Sequence, residues 1–387
     1  MEKIYSSMEN INAKITEIKL FKYNVEAVRK FSFGVWTSRQ HIFIAVKTKE
    51  HTGYAENIIT INEPNVSLDD FKAWSEALVG LTVTEALLKL RENLGIWRDR
   101  YTEMTELALV DLAAREKHMS ALELLGLEER HSVPGAYVIL NDDPEFVSRK
   151  TKEAVDKGIS AVIKVKLFGK IDVDLAVIKA VRRFTKRGET QLIGDVNTGY
   201  RCKGDERSVD EIANDLKLLY EAGLDACEDP ADLTVSEWVE LQSKVKPLSL
   251  IPDAIMRPSW ESIKFIVKGM GDIYNIHPGS AGSLLDAITL AKKVKSLGAE
   301  LMLGDDSLVG PACTCWQQLA IALGACWVEA TEKEEDSDRF FDCVLHSDTD
   351  SSVNPIKYES SNNGFGLMLD EEKLASYCME TVIVKER

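Results

Sequence analysis

The stretch 161–196, AVIKVKLFGKIDVDLAVIKAVRRFTKRGETQLIGDV, holds two short apolar runs separated by a segment of helical spacing. AVIKVKL (161–167) and QLIGDV (191–196) have the length and β-branched content of buried strands, and VDLAVIKAVRRFTKRG between them has the pattern of a helix. Strand, helix and strand in this order predict a parallel pair joined by a crossover helix. Working outward, similar runs stand at AYVIL (136–140), LDACED (224–229), LSLIPDA (248–254), IYNIHP (273–278), ELMLGDD (300–306) and CWVEA (326–330). The starting points of the eight runs differ by 25, 30, 33, 24, 25, 27 and 26 residues. Eight such units closing on themselves predict a (β/α)8-type TIM barrel, an α/β fold. An open doubly wound sheet is the competing arrangement, but neither GxGxxG nor a Walker-type glycine loop is present.

The chain before Pro134 has a different texture. KITEIKLFKYNV (14–25) and HIFIAVKT (41–48) alternate apolar and polar residues, and the turn residues of KEHTG lead into YAENI, as in an antiparallel sheet. Helical patterns follow: LDDFKAWSEALVG after Ser67, and 102–117 with an apolar stripe at Met104, Leu107, Leu109, Ala113 and Ala114. The spacing therefore predicts an α+β domain over 1–132 and a barrel from 133 to about 344.

Of 387 residues, 47 are Lys or Arg and 63 Asp or Glu, a net charge of −16 that argues against general nucleic-acid binding. No apolar run reaches the roughly 18 residues of a membrane span, and MEKIYSSMENINAK lacks a signal-peptide apolar region. The seven cysteines include no CxxC pair, and no His or Cys cluster completes a zinc site around Cys313 and Cys315. A cytoplasmic protein with reduced thiols is expected, assembled as a homo-oligomer, with neither nucleic acid nor membrane as partner.

In a parallel barrel the chemistry sits at the C-terminal ends of the strands. The polar residues closing the runs are Lys164 and Lys166, then Asp195, Glu228, Asp253, His277, and Asp305 with Asp306. Strand alternation points Lys164 and Lys166 to one side. A lone carboxylate at a strand end is commonly a helix cap. Three on successive strands, in the same relative place, would repel one another unless a hard divalent cation lay between them.

These residues carry a resemblance. The order KxK, Asp, Glu, Asp on successive strands resembles the enolase superfamily in its muconate-lactonizing and mandelate-racemase-like branch. The matching segments are Ile-Lys164-Val-Lys166, GDVNTGY around Asp195, ACEDP around Glu228 and IPDA around Asp253. ELALVDLAAREKHMSALELLG and GYAEN are similar to segments before the barrel and in the cap. The resemblance implies a modified (β/α)7β barrel over 133–344 under an α+β capping domain, 1–132 closed by about 345–387, and one Mg2+ held by Asp195, Glu228 and Asp253. It implies abstraction of the proton next to a carboxylate by Lys166, with Lys164 stabilising the charge that develops. A lysine base must first shed its proton, which the neighbouring Lys164 cation and the metal favour.

The departures narrow the reaction. Relatives often carry a lysine where NIHPG has His277, and a glutamate near the position of Asp306, where this chain has LMLGDDSLVGPAC. His277 could pair with Asp305 or Asp306. Family position marks FSFGVWTSRQ (31–40) as a loop that closes over substrate, with Gly34 as hinge, Trp36 against an apolar part and Ser38 and Arg39 as polar contacts. Asn197, Asp305 and Asp306 complete the expected substrate contacts. GDDSLVGPAC resembles a subgroup acting on hydroxylated proline-type amino acids, so dehydration of a hydroxy amino acid is the expected reaction on a small carboxylate substrate. The alternatives are a racemase or epimerase with His277 as acid on the opposite face, a muconate-type cycloisomerase, and an inactive small-acid binding protein.

Overall fold

The computed structural model describes residues 7–128, 130–304, 313–329 and 338–386. The eight apolar runs form eight parallel strands: Gly135–Ile139, Val162–Lys166, Gln191–Asp195, Ala226–Glu228, Ser249–Ile251, Ile273–Ile276, Glu300–Leu303 and Val328–Glu329, numbered one to eight below. They hydrogen-bond as one sheet in the order six, seven, eight, one, two, three, four, five. The backbone N–H of Asn275 donates to the Pro252 carbonyl at 3.1 Å and draws the two ends of the sheet together. Helices follow strands one to seven, that after strand five being a single turn, Ser259–Ser262.

Inside the barrel the side chains stack in layers, as the period of two along each strand requires. The lowest layer is an apolar plug of Ala136, Val162, Ile193, Ala226, Ile251, Ile273, Met302 and Trp327, to which every strand or its leading residue contributes. Two residues further along the same chain segments stand Val138, Lys164, Asp195, Glu228, Asp253, Asn275, Gly304 and Glu329. A polar layer thus lies directly on an apolar one. Burial excludes water, and each charge in the polar layer must find a partner within it.

The cap is a four-stranded antiparallel sheet, ordered Glu380–Lys385, Glu17–Phe31, Gly34–Lys47, Thr52–Ile61. One face packs on the helices between Asp69 and Glu116. The other packs on the C-terminal segment through Phe43, Phe340, Leu367 and Leu374. The stretch 31–40, expected as a loop, is instead the tip of a hairpin. The ladder runs on through Arg29↔Trp36, Lys30↔Val35 and Phe31↔Gly34, leaving only Ser32 and Phe33 as the turn. Aromatic and β-branched residues on both sides favour pairing over an open loop.

The helix Asp99–Glu116 also departs from expectation: every residue from Tyr101 to Arg115 is buried, not one stripe alone. It is enclosed by the cap sheet, the loop after strand six and the segment around Phe365, and Glu103 and Asp111 accept backbone N–H groups from those neighbours. Gly53 permits the close approach of the sheet, since a Cβ there would stand 2.1 Å from the Ala108 carbonyl oxygen and 2.8 Å from Leu112 N. Gly53→Ala is therefore expected to destabilise the fold by about 1–3 kcal/mol or more, read as a lowered midpoint in thermal unfolding. No helix among the described residues is long and apolar enough to cross a membrane.

Candidate active site

Lys164 sits in the polar layer, buried, with its ammonium 2.7 Å from Glu228 Oε2 and 3.4 Å from Asp195 Oδ2, and in contact with Glu329 Oε1. Burial works against its charge. Glu228, Glu329 and Asp195 outweigh that and hold its pKa well above the ordinary lysine range. Lys166, one layer higher, contacts Asp195 Oδ2 and donates to Asn197 Oδ1 at 2.8 Å. Burial opposes the Asp195 charge, but the two lysines overcome it and hold the carboxyl below its usual range.

Register sets these neighbours: Lys166 pairs with Asp195 and Asp195 with Glu228 across adjacent strands. Asp253 follows strand five, where its Oδ2 accepts from Arg257 Nη2 at 2.5 Å. Asp229 fastens this strand end by accepting from the backbone N–H groups of Asp253 and Ala254 at 2.9 and 2.8 Å. Burial and the Asp253 charge push Asp229 up to about 7. Burial likewise pushes Glu228 upward, against the pull of Lys164, with Asp195, Glu329 and Asp253 adding to the rise.

Asp195, Glu228 and Asp253 are the residues that could hold a metal. As they stand, among the described residues no three carboxyl, imidazole or thiol groups are drawn together into a metal-holding cluster. The cations of the chain itself, Lys164, Lys166 and Arg257, are their partners. The donor set nevertheless fits a hard divalent ion. Five carboxyl groups (Asp195, Glu228, Asp229, Asp253, Glu329) face three cations, which leaves two negative charges in excess when all are ionised. Asp253 Oδ1 is buried and has no hydrogen-bond partner, an arrangement that costs energy unless a cation is supplied.

His277 follows strand six and is 8% exposed; its Nδ1 lies 3.1 Å from Ser280 Oγ. In the sheet order, strands two and six are separated by three strands in either direction, so Lys166 and His277 rise from opposite walls of the mouth. The pairing expected for His277 with Asp305 or Asp306 falls on residues 305–312, outside the described residues.

The hairpin tip closes one side. The Phe31 ring lies 4.9 Å from Lys166 Nζ, and Ser32 Oγ donates to the Asn197 carbonyl at 3.0 Å. Trp36 packs on Phe31 at 4.5 Å between ring centroids. Ser38 is half-buried further down the same strand, while Arg39 is buried in the cap. Phe31 and Ser32 thus touch the site where Trp36 and Ser38 were expected.

Sequence reasoning also missed Glu329, Asn275 and Arg257. Glu329 closes the eighth apolar run and stands two residues after the plug residue Trp327, so the rule that found the other carboxylates would have found it. Asn275 donates from Nδ2 to Glu228 Oε1 at 3.2 Å and accepts the Gly304 N–H at 2.7 Å. Gly304 makes room for it: a Cβ there would stand 2.6 Å from Asn275 Nδ2.

No protein-family model matches the chain. It is 27% identical over 197 residues to the L-Ala-D/L-Glu epimerase of Escherichia coli K12, a match that spans 51% of this chain and only 56% of that enzyme. Among solved structures it resembles a dipeptide epimerase from Cytophaga hutchinsonii complexed with Mg and D-Ala-L-Val, at TM-score 0.78 and 18% identity over 96% of this chain and all of the other. It also resembles the muconate lactonizing enzyme of Pseudomonas fluorescens complexed with muconolactone, at TM-score 0.77 and 18% identity over 95% of this chain and all of the other. With the capped eight-stranded barrel and its ordered KxK, Asp, Glu, Asp layer in view, this chain has the fold of the enolase superfamily.

Proposed function

We propose that this chain is an Mg2+-dependent epimerase or racemase that inverts the α-carbon of an amino-acid derivative with a free carboxylate, such as a dipeptide. The observation that carries the reading is the placement of Lys166 and His277 on opposite walls of one mouth. Inversion needs a proton removed from one face of a planar carbon and returned to the other, and two groups facing each other do this. Lys166 takes the proton on the side of strand two, and His277 supplies one from the side of strand six; the roles exchange in the reverse direction.

Lys164, held charged by its three carboxylates, faces the negative charge that develops on the substrate carboxylate. Mg2+ held by Asp195, Glu228 and Asp253 would supply further electrostatic stabilisation of that charge. Asn197 holds the Lys166 ammonium at 2.8 Å and so orients the group that carries the proton. Phe31 and Ser32 cover the mouth from the cap and limit the entry of water, which strengthens each charge interaction beneath them.

Dehydration of a hydroxyproline-like substrate was expected from GDDSLVGPAC, most of which lies outside the described residues. The similarity to an epimerase favours inversion over loss of water.

The test is exchange in deuterated water over a panel of dipeptides and N-acyl amino acids, with and without Mg2+, following both deuterium uptake and configuration. Wild-type protein is expected to exchange the α-proton and invert. In His277→Asn, inversion should stop while Lys166 still exchanges the proton of one stereoisomer. Inversion by this variant at the wild-type rate would remove His277 from the reaction.

A further inference from the structure

The turn that follows strand three carries backbone strain. Val196 to Gly199 form a four-residue turn, closed by the Gly199 N–H donating to the Val196 carbonyl at 3.1 Å. Its two central residues, Asn197 and Thr198, have φ angles of 46° and 64°. A turn with both central residues at positive φ is best made by Asn followed by Gly. Here Asn is followed by Thr, a β-branched residue that the left-handed region disfavours.

The strain persists because both ends of the peptide between Asn197 and Thr198 are held. The Thr198 N–H donates to the Asp229 carbonyl at 2.7 Å. On the other side, Ser32 Oγ donates to the Asn197 carbonyl at 3.0 Å, and a carbonyl can only accept. Ser32 belongs to the two-residue turn of the cap hairpin, so the tip of the cap fastens a turn of the barrel 165 residues away. The fit is close, since a Cβ on Gly199 would stand 2.9 Å from Ser32 Cβ. Rotating the held peptide would return Thr198 to negative φ but turn the Asn197 carbonyl away from Ser32. Asn197 would then need a backbone that glycine alone adopts readily, so it would move as well and carry its side chain with it.

That side chain is one of two oxygen acceptors on Lys166. Asn197 Oδ1 accepts from the Lys166 ammonium at 2.8 Å, and Asp195 Oδ2 is the other. With two of its three positions engaged, the nitrogen has its third aimed in one direction. Without Asn197 it can turn about the Cε–Nζ bond.

We propose that Ser32 is a positioning residue: by holding the strained turn from the cap, it keeps Asn197 on Lys166 and so aims the base. The proposal rests on reading Lys166 as the base of the inversion, and one arm of its test does not. The experiment is a double-mutant cycle of Ser32→Ala and Thr198→Gly. Glycine removes the strain, so the turn keeps its shape without the tie. In thermal unfolding, which needs no substrate, Thr198→Gly should raise the midpoint by about 1–3 °C. In the Ser32→Ala background the same substitution should raise it less, because the untied turn has already relaxed. In kinetics, Ser32→Ala should lower kcat for inversion by about tenfold or more, with a much smaller change in KM. Adding Thr198→Gly should restore most of the loss. Thr198→Val, which keeps the β-branched shape and hence the strain, should restore none. Equal stabilisation by Thr198→Gly in both backgrounds, or none in either, would overturn the hold of Ser32 on the turn. A loss in Ser32→Ala that Thr198→Gly leaves unrepaired, or one confined to KM, would make Ser32 only a cover over the mouth. If the unfolding cycle behaves as expected and wild-type protein inverts no substrate of the panel, only the proposed reaction falls.

Discussion

Lys166→Ala is expected to lose turnover by at least about 10²–10⁴-fold, the usual contribution of a positioned acid or base. Loss of α-proton exchange should be confined to the stereoisomer whose proton faces strand two. The other isomer, facing His277, should retain slow exchange without inversion. The variant also frees Asp195 Oδ2 and Asn197 Oδ1 of a partner, so Lys166→Met, which keeps the length of the stem, is the companion that separates packing from chemistry. Circular dichroism establishes that both variants fold. Exchange of both stereoisomers at the wild-type rate in Lys166→Ala would place the base elsewhere.

Glu228→Gln should be as damaging for a different reason. Its carboxylate lies 2.7 Å from Lys164 and accepts from Asn275, at the centre of the charged layer. Glu228 is one of the three carboxylates proposed to hold Mg2+, and removing its charge should weaken the hold on a hard cation that prefers oxygen donors. Loss of a mere outer-shell partner costs about 10–100-fold in metal affinity, and a direct ligand should cost at least the upper figure. Calorimetric titration of the folded protein with Mg2+ or Mn2+ measures this without any substrate. Chelation should abolish wild-type turnover and added Mg2+ restore it. Unchanged metal affinity in Glu228→Gln would remove it from the ligand set.

Much of the barrel was legible because its signal is local. Each apolar run carries its own strand propensity, and the period of two carries the inward direction from the plug residue to the polar residue above it. Val162, Lys164 and Lys166 are one such column; Ile193 and Asp195 another; Ala226 and Glu228 a third. Glu329 could have been read by the same step from Trp327. Gly304 was harder, because a missing side chain announces nothing until Asn275 is seen filling its place.

The hairpin tip was misread for a physical reason. Family position marked 31–40 as a loop, whereas pairing of 29–31 with 34–36 is a property of two strands together that neither segment shows alone. The helix Asp99–Glu116 was misread in the opposite direction. Its polar residues suggested a wet face, but Glu103, Glu106 and Asp111 are acceptors for backbone groups 176 to 254 residues away. No window of sequence contains both ends of such a bond.

The sequence by itself determined the alternation of eight strands with helices, the inward column of each strand, and hence Lys164, Lys166, Asp195, Glu228 and Asp253 at one end of a barrel. Those properties follow from side-chain period and apolar content, which any short segment carries within itself. Only the tertiary structure decided which cation answers which carboxylate, that Phe31 and Ser32 reach the mouth, and that Ser32 fastens the turn carrying Asn197. These depend on the closure of the sheet and the seating of the cap. Hydrogen bonds and ion pairs act over about 3 Å, and only folding brings groups so far apart in the chain within that distance.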